Sequence, residues 1–460
     1  MTTVNPPGHV LLILRRLIES GYAAYLVGGC VRDSIMGRPV RDWDIATSAT
    51  PVEVTRRFRM TALTGEKFGT VMVVLPEGAV EVTTFRTDGE YQDGRRPANV
   101  QFVTRIDDDL SRRDFTINAM AASITGEIKD IFGGIQDIEN RVIRCVGDPV
   151  QRFGEDGLRM FRAFRLRAEL GFTIDSNTLL AIGRSSDMAR PISAERIRVE
   201  LERTLLSQRP EVAAEMIGAG LLDKYLTGDQ VSGVRGQGSG DGIQGAGGRE
   251  QGSGDERRGA ADLGGDACCL PDGLERLAAL KELPPEPALR WCAFCAVLLD
   301  TGLIASVAGF LRGLTLDSKT IKTCAAALTV PGFPESSVEI KRLLAKSGLG
   351  AVRCAAAAHD TLHGKHGMPA PDIVQEERPP HRYPALKRTD EVLASGECYS
   401  LNGLAIAGRD LVALGYPQGR ELGETLDAML HHVIDRPEDN TYDTLLEVLR
   451  NRGENPAGAI

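Results

Sequence analysis

The chain is organised around a stretch between Tyr25 and Thr47 that reads YLVGGCVRDSIMGRPVRDWDIAT. Its apolar start predicts a strand, which ends at two glycines and is followed by a helix-compatible segment. Asp42 and Asp44 lie in a second predicted strand, where side chains two residues apart point to the same face. Neighbouring carboxylates repel each other unless a cation lies between them, and Mg²⁺ prefers carboxylate and phosphate oxygens. The stretch therefore predicts a magnesium site at these two aspartates.

The two glycines, Gly28 and Gly29, add a second functional element. Because they lack side chains, they allow backbone N–H groups to approach an anion such as a phosphate closely. Taken singly, a glycine pair before a helix is usually a turn, and a D-x-D motif is usually a solvated strand edge. Within one strand–turn–helix–turn–strand frame, the two motifs together predict a site for metal-dependent nucleotidyl transfer.

Length and charge limit the class of protein but do not identify a substrate. The 460 residues are 42% hydrophobic and 25% charged, which is typical of a globular chain long enough for several cores. The net charge of −9 neither supports nor excludes an RNA substrate, because only the binding face has to be basic. The N-terminus has no signal-like segment and no apolar run reaches membrane-spanning length, so we expect a cytoplasmic protein without membrane contact.

The nine cysteines favour a reducing compartment, because their number is odd and their spacing irregular. Cys292 and Cys295 form a C-x-x-C motif inside the apolar helical run ALRWCAFCAVLLD. A zinc site would need a second C-x-x-C or paired histidines to complete it, and the sequence offers neither. We therefore interpret this motif as core packing.

The segments LVGGCVRD and RDWDIAT resemble the DNA polymerase beta nucleotidyltransferase superfamily. Within it, they are similar to the branch of class II tRNA nucleotidyltransferases and bacterial poly(A) polymerases. The resemblance implies that Asp42 and Asp44 are the catalytic, metal-holding residues. It also implies that Gly28, Gly29 and Arg32 bind the nucleotide triphosphate.

A hairpin is predicted next, with strands at Phe68–Leu75 and Ala79–Phe85. Glu81 in the second strand is either an exposed strand residue or the third metal-site carboxylate that superfamily enzymes usually have. The charged segment Thr87–Pro97 predicts an exposed loop. In the resembled family, a loop at this place helps to switch nucleotide choice.

The stretch Asp107–Ala121, DDDLSRRDFTINAMA, has an acidic start and apolar residues at helical spacing, which predicts a helix. Arg112, Arg113 and Asp114 would form a surface salt-bridge cluster on the simplest interpretation. RRDFTINAMA also matches the second motif of the resembled family, which implies that Arg113, Asp114 and Asn118 contact the triphosphate and ribose. A ribose 2′-OH both donates and accepts hydrogen bonds, so such a set can select ribose over deoxyribose.

A second constellation lies in Phe153–Leu170, FGEDGLRMFRAFRLRAEL. Asp156 and Arg159 are spaced i,i+3 on a predicted helix, which is also the spacing of an ordinary ion pair. A carboxylate beside a guanidinium matches the amino group and ring nitrogen of cytosine or adenine and rejects guanine and uracil. EDGLRMFR matches the EDxxRxxR motif of the family, which implies that Asp156 and Arg159 read CTP and ATP. The same match implies that Arg162 and Arg165 support nucleotide or phosphate binding.

The remaining chain contributes organisation more than chemistry. Residues Gly228–Asp266 are rich in glycine and charged residues, which predicts a disordered insertion. After Pro271, amphipathic segments predict a helical bundle. His359-Asp360 would fit an HD phosphohydrolase site only with an additional upstream histidine, and none occurs between His9 and His359. We therefore reject that site.

The C-terminal segment Leu401–Leu449 resembles the tail of the same family. Gly419 and Gly423 match its spaced glycine pattern and would permit close backbone approach to the tRNA elbow.

The predicted fold class is α+β. An N-terminal nucleotidyltransferase head with a mixed β-sheet and helices is followed by all-α neck, body and tail domains. The predicted boundaries are residues 1–140 for the head, 141–227 for the neck, 228–266 for the insertion, 267–375 for the body and 376–460 for the tRNA-binding tail.

Three functions are consistent with these features. The first is template-independent addition or repair of the 3′-terminal CCA of tRNA from CTP and ATP, with Mg²⁺ ions at Asp42 and Asp44 and release of pyrophosphate. The second is a poly(A) polymerase, or a partial enzyme that adds only CC or only A; TGEKFGTVMVV at Thr64–Val74 favours complete CCA addition. The third, a catalytically silent RNA-binding protein, is disfavoured because every metal and base-reading residue is present. The sequence gives no indication of oligomeric state or of the role of the insertion.

Overall fold

The computed structural model describes residues 4–65, 69–88, 100–226, 272–364 and 383–451. The chain divides into two compact units, one of Met1–Thr204 with Val212–Pro271 and one of Leu205–Glu211 with Asp272–Ile460. The predicted insertion at 228–266 and most of the predicted loop at 87–97 lie outside the described residues. The finer division into head, neck, body and tail stays a prediction.

The first unit contains a mixed sheet surrounded by helices. Its elements in chain order are α1 (Gly8–Glu19), β1 (Ala24–Val27), α2 (Gly29–Ile35), β2 (Asp44–Thr47), α3 (Pro51–Arg57), β3 (Thr61–Gly65), β4 (Thr70–Leu75), β5 (Gly78–Thr84), β6 (Arg86–Asp88), β7 (Val100–Phe102), α4 (Ile106–Ser111), β8 (Met120–Ala122), β9 (Ile128–Asp130), α5 (Gly134–Glu139), β10 (Val142–Ile143), α6 (Pro149–Glu155), α7 (Leu158–Leu170), β11 (Thr173–Ile174), α8 (Ser176–Ser185), α9 (Ala194–Leu205) and α10 (Val212–Gly218).

The central sheet has seven strands in the order β3-β4-β5-β2-β1-β8-β9. Neighbouring strands are antiparallel except β2 and β5, which are parallel, so the sheet is mixed as predicted. On β4 and β5 the buried residues alternate with more exposed ones, because one face packs on the core. The α+β class is therefore confirmed, with one addition: the neck, predicted as all-α, also holds the short parallel pair β10–β11.

The predicted helix over 107–121 is wrong in extent. Helix α4 ends at Ser111, a 3₁₀ turn covers Thr116–Asn118, and Met120 already belongs to strand β8. The apolar residues at helical spacing are buried in these separate elements, since Leu110, Ile117 and Met120 are all fully inaccessible. The apolar spacing therefore reflects the packing of three short elements against the core, and not one continuous helix.

The second unit is helical in its described part. It contains α11 (Pro287–Asp300), α12 (Val307–Gly313), α13 (Ser318–Ala327), α14 (Ser337–Ser347), α15 (Leu349–His363), α16 (Pro384–Ala394), α17 (Gly408–Ala413), α18 (Arg420–Asp435) and α19 (Tyr442–Asn451), with 3₁₀ segments at Leu274–Glu282, Leu401–Gly403 and Pro437–Asp439. Cys292 and Cys295 lie in the buried middle of α11, as expected for core residues.

The motif at His359-Asp360 has a structural partner. Oδ1 of Asp360 accepts a hydrogen bond from the backbone N–H of Ala385 at 3.0 Å, and Oδ2 accepts one from Leu386 at 2.9 Å. The buried carboxylate therefore caps the first turn of α16. This accounts for Asp360 without an HD site.

Across the described ranges, no helix combines the length and apolar character needed to cross a bilayer. The predicted cytoplasmic location stays a prediction.

Candidate active site

The glycine turn lies at the end of β1, where two guanidinium groups approach it. Gly28 has a φ of 78°, a region that favours glycine, and a Cβ atom there would lie 3.0 Å from Nη1 of Arg113. A Cβ atom on Gly29 would lie 3.5 Å from Nη2 of Arg32. The backbone N–H of Gly28 donates to the carbonyl oxygen of Met120 at 3.3 Å. The turn therefore brings the first N–H groups of α2, from Gly29 onward, together with two positive side chains, which is suitable for a polyanion.

The two aspartates of the D-x-D motif lie at the same end of the sheet as the glycine turn. Leu26 on β1 pairs with Ile45 on β2, so the start of β2 lies beside the end of β1. Strand β2 begins at Asp44, however, and the exposed Asp42 precedes it. The prediction that both aspartates belong to the strand is therefore wrong for Asp42. The backbone before Asp44 is irregular, so strand alternation does not determine the direction of the Asp42 side chain.

Glu81 is the register partner of Asp44 on the parallel strand β5. Burial, followed by the negative charge of Glu81, raises the pKa of Asp44 to about 6; Arg113 acts in the opposite direction and Asp42 adds a further increase. Oxygen donors that repel one another in this way fit a hard divalent cation, which would relieve the repulsion. Within the described ranges, no group of three or more His, Cys, Asp or Glu side chains is arranged to hold a metal ion. Glu81 is exposed on the sheet, and its role as a third ligand stays a prediction.

Asp109 orients the pair Arg112 and Arg113, a role that the motifs do not indicate. Its carboxylate is fully buried and accepts hydrogen bonds from Arg112 at 2.7 and 3.0 Å and from Arg113 at 3.1 Å. Burial opposes ionisation, but Arg113 and Arg112 hold the pKa of Asp109 below its ordinary value. The spacing of Asp109 three and four residues before the arginines was the sequence signal for this contact.

The Nε–H donor of Arg113 takes no part in these hydrogen bonds. Its Nε is buried and has no hydrogen-bond partner among the described residues. A buried donor of a charged group is costly to leave unsatisfied, so a ligand oxygen is a suitable partner for it. Because Nη1 of the same side chain lies beside Gly28, that oxygen would belong to the anion at the glycine turn.

A chain of hydrogen bonds joins the other predicted nucleotide-binding residues. Nη1 of Arg32 donates to Oδ1 of Asn118 at 2.6 Å, and Nδ2 of Asn118 donates to Oδ1 of Asp114 at 3.4 Å. Nε of Arg162 donates to Oδ2 of Asp114 at 2.7 Å. Although burial opposes ionisation, Arg162 and then Arg159 hold the pKa of Asp114 well below its ordinary value. The structure thus brings these residues into one network.

The predicted helical pair of Asp156 and Arg159 is wrong in its geometry. Helix α6 ends at Glu155 and α7 begins at Leu158, so Asp156 lies in the break between them. A Cβ atom on Gly157 would lie 2.3 Å from the carbonyl oxygen of Met188, so the chain passes too close to its neighbour there for any side chain. Asp156 pairs with Arg196 on α9, at 2.7 Å, and not along a helix with Arg159.

Arg159 and Arg165 each have acidic partners of their own. Nη1 of Arg159 lies 2.5 Å from Oε2 of Glu155. Arg165 is buried between Glu200, at 2.5 Å, and Glu169, at 2.7 Å. These contacts explain the burial of Arg165 within the first unit, and its nucleotide contact stays a prediction. The contact between Arg165 and Glu200 was not predicted, because no local sequence pattern links two residues this far apart along the chain.

The two tail glycines are exposed. Gly419 precedes α18 with a φ of 138°, and Gly423 lies inside that helix. A Cβ atom on either residue would have no neighbour within 4 Å in the described structure. Contact of these residues with a tRNA elbow stays a prediction.

Two family models match the N-terminal half of the chain. Residues 24–144 match the poly A polymerase head domain, which covers the sheet and the glycine turn. Residues 171–226 match a model described as a probable RNA and SrmB-binding site of polymerase A. Both matches agree with the resemblance drawn from the motifs.

Relatives extend the likeness to almost the whole chain. A CCA-adding enzyme of Limosilactobacillus fermentum is 36% identical over 95% of this chain and 94% of its own. That of Lactiplantibacillus plantarum is 50% identical, over 46% of this chain and 52% of its own, so the chain matches about half the length of that relative. A crystal structure of the Bacillus stearothermophilus CCA-adding enzyme in complex with CTP has a TM-score of 0.69, with 30% identity over 98% of this chain and 100% of that one.

Proposed function

Since the chain belongs to the family of CCA-adding enzymes, we propose that it adds or repairs the 3′-terminal CCA of tRNA, using CTP and ATP and releasing pyrophosphate. The observation that carries this proposal is the meeting of three features at one end of the sheet. These are the Gly28 turn, the unsatisfied Nε of Arg113 and the paired carboxylates of Asp44 and Glu81.

The donor set supports a divalent cation, which nucleotidyltransferases of this type normally use, and we assign Mg²⁺ to Asp42 and Asp44. When bound, Mg²⁺ would supply acidification of the RNA 3′-OH and neutralisation of charge on the α-phosphate and the leaving pyrophosphate. The burial of Asp44 would strengthen the interaction of its carboxylate with a cation, whereas Asp42 and Glu81 are exposed.

The protein's own contribution is to hold the triphosphate and the ribose. The backbone N–H of Gly29 and the guanidinium groups of Arg32 and Arg113 would bind phosphate oxygens. The backbone N–H of Gly28 donates to the carbonyl oxygen of Met120 at 3.3 Å, so Gly28 would contribute the close approach of its backbone. Asn118 is fixed between Arg32 and Asp114, so its amide is held in one orientation, and we assign it to the ribose. Holding the α-phosphate in line with the 3′-OH supplies much of the rate acceleration in phosphoryl transfer.

The base would be selected by Asp156 and Arg159 in place of a nucleic-acid template. The carboxylate accepts from the exocyclic amino group of cytosine or adenine, and the guanidinium donates to the ring nitrogen. Guanine and uracil present a carbonyl oxygen and a ring N–H at these positions, which leaves both groups unpaired. Arg159 donates to the backbone carbonyl oxygen of Arg112, and the charge of Asp156 acts on Arg162, which supports the place of both residues in the same site.

The experiment is extension of a tRNA transcript that ends at the discriminator base, resolved at single nucleotides, with Mg²⁺ and CTP, ATP or both. Two additions with CTP alone and three with both nucleotides support the proposal. A long adenosine ladder would instead assign a poly(A) polymerase, and arrest after two additions a CC-adding enzyme. Extension of no substrate would assign the RNA-binding alternative.

A pair of variants ties that activity to the carboxylates. D44N should abolish extension, because it removes a charge at the proposed metal site. The control is E77Q, because Glu77 is exposed in the turn between β4 and β5. This substitution also removes one negative charge, away from the site, and should retain extension activity.

A further inference from the structure

The carboxylate of Asp156 is held by a residue from a different helix. Nη1 of Arg196 donates to Oδ1 at 3.3 Å, and Nη2 donates to Oδ2 at 2.7 Å. The backbone N–H of Leu158 also donates to Oδ1, at 3.0 Å. Because Asp156 lies between α6 and α7, these bonds replace the support that a helix would give it. Together they fix both the position and the rotation of the carboxylate.

This arrangement leaves one oxygen able to accept another hydrogen bond. An ionised carboxylate has about four lone-pair positions. Arg196 and Leu158 occupy both positions on Oδ1, and Arg196 occupies one on Oδ2. The remaining position on Oδ2 matches the single hydrogen bond that an exocyclic amino group offers when its base is read at this edge.

The guanidinium group of Arg159, which would donate to the base, is held by contacts that do not involve Arg196. Nη1 of Arg159 donates to Glu155 at 2.5 Å and to the carbonyl oxygen of Arg152 at 2.9 Å, and Nη2 donates to the carbonyl oxygen of Arg112 at 3.1 Å. The loss of Arg196 therefore removes support from the carboxylate and leaves these contacts of the guanidinium in place.

We propose that Arg196 is a positioning residue that determines base specificity, by orienting Asp156 so that the free position of Oδ2 receives the amino group of cytosine or adenine. This inference rests on the proposed function above. With the carboxylate fixed, the carbonyl oxygen of uracil or guanine meets an acceptor and is repelled. Without Arg196, the carboxylate turns away, so the amino group loses its acceptor and the carbonyl oxygen loses its repulsion.

The test compares the wild-type protein with R196Q in single-nucleotide extension of a tRNA transcript, measuring kcat and KM for CTP and for UTP. R196Q should lower kcat/KM for CTP about tenfold, mainly through KM, because an oriented charged hydrogen bond is lost. UTP should not lose efficiency, so the CTP-to-UTP ratio should fall about tenfold. R196K keeps the positive charge but not the two-pronged contact, and should restore the ratio in part.

The matched control is R203Q, on the same helix and two turns further on. Arg203 is 55% exposed and forms an ion pair with Glu169. Loss of this ion pair leaves the contact between Arg165 and Glu200 in place. R203Q should leave the CTP-to-UTP ratio unchanged.

The outcomes separate this inference from the function on which it rests. Failure of the wild-type protein to extend tRNA would overturn the proposed function. A working wild-type protein with equal losses for CTP and UTP in R196Q would overturn only the role of Arg196, by assigning it to stability. If R196Q loses its cooperative thermal transition, the test rests on R196K. A CTP-to-UTP ratio in R196K equal to that of the wild-type protein would contradict the proposal.

Discussion

Asp44 on β2 and Glu81 on β5 are direct register partners across the parallel pair of the central sheet. Neighbouring positions on parallel strands direct their side chains to the same face, so Glu81 is placed beside the proposed metal site. Burial raises the pKa of Asp44, and the negative charge of Glu81 raises it further.

We expect E81Q to weaken Mg²⁺ binding at this site. Loss of a carboxylate that supports a metal should raise the Mg²⁺ concentration for half-maximal extension by roughly tenfold or more. The measurement is tRNA extension against Mg²⁺ concentration, with Mn²⁺ binding followed by electron paramagnetic resonance. E77Q serves as the control on the same hairpin. An unchanged Mg²⁺ dependence in E81Q would show that the exposed Glu81 does not hold the metal.

Substitution of Asp109 should weaken the binding of every nucleotide equally. Its carboxylate anchors Arg112 and Arg113, and Arg113 reaches the glycine turn rather than the base. In D109N we expect KM for CTP and for ATP to rise by about tenfold, the cost of a charged hydrogen bond. The CTP-to-UTP ratio should stay at the wild-type value, in contrast to R196Q. A change in that ratio would contradict the assignment of Asp109 to the phosphate side of the site.

Arg290 should dominate the stability of the second unit. Its side chain is 1% exposed, and its donors reach backbone carbonyl oxygens of that unit, at Leu205, Ser207, Lys281, Leu283 and Pro284. R290M would leave these acceptors unsatisfied, which we expect to lower the free energy of unfolding by about 4 kcal/mol. Urea denaturation followed by circular dichroism measures this change.

The control for R290M is R312M, because Arg312 is exposed on α12. Exposed substitutions of this kind usually change the free energy of unfolding by less than about 0.5 kcal/mol. Equal effects of the two substitutions would show that the carbonyl contacts of Arg290 contribute little.

The parts of the site that were predicted correctly depend on local sequence. The glycine turn and the strand at Asp44 follow from apolar runs and glycine positions that act over a few residues. The mixed sheet also agrees with the hairpin signals. These features need no knowledge of distant contacts, so a single sequence is sufficient for them.

The errors have tertiary causes. The helix drawn through Asp156 is interrupted where Gly157 meets the backbone of Met188, a contact with no sequence signal. Its true partner, Arg196, lies forty residues away along the chain. One local signal was overlooked, since an aspartate that accepts from the second following N–H, here that of Leu158, is typical of a helix start.

The acid sensitivity of the first unit should depend on Asp114. Arg162 holds the pKa of this buried carboxyl well below the ordinary value of 3.8, after burial has acted in the other direction. A carboxyl whose pKa is lowered on folding contributes stability that is present above its unfolded pKa and lost as the pH falls toward its folded pKa. The wild-type protein should therefore lose up to about 1.4 kcal/mol of unfolding free energy per pH unit below pH 3.8 from this group alone. D114N should lack that part of the slope, while D187N, at an exposed aspartate of the same unit, should retain it. Denaturant unfolding between about pH 5 and pH 2 measures both slopes, and equal slopes in D114N and the wild type would show that the ion pair with Arg162 does not persist in solution.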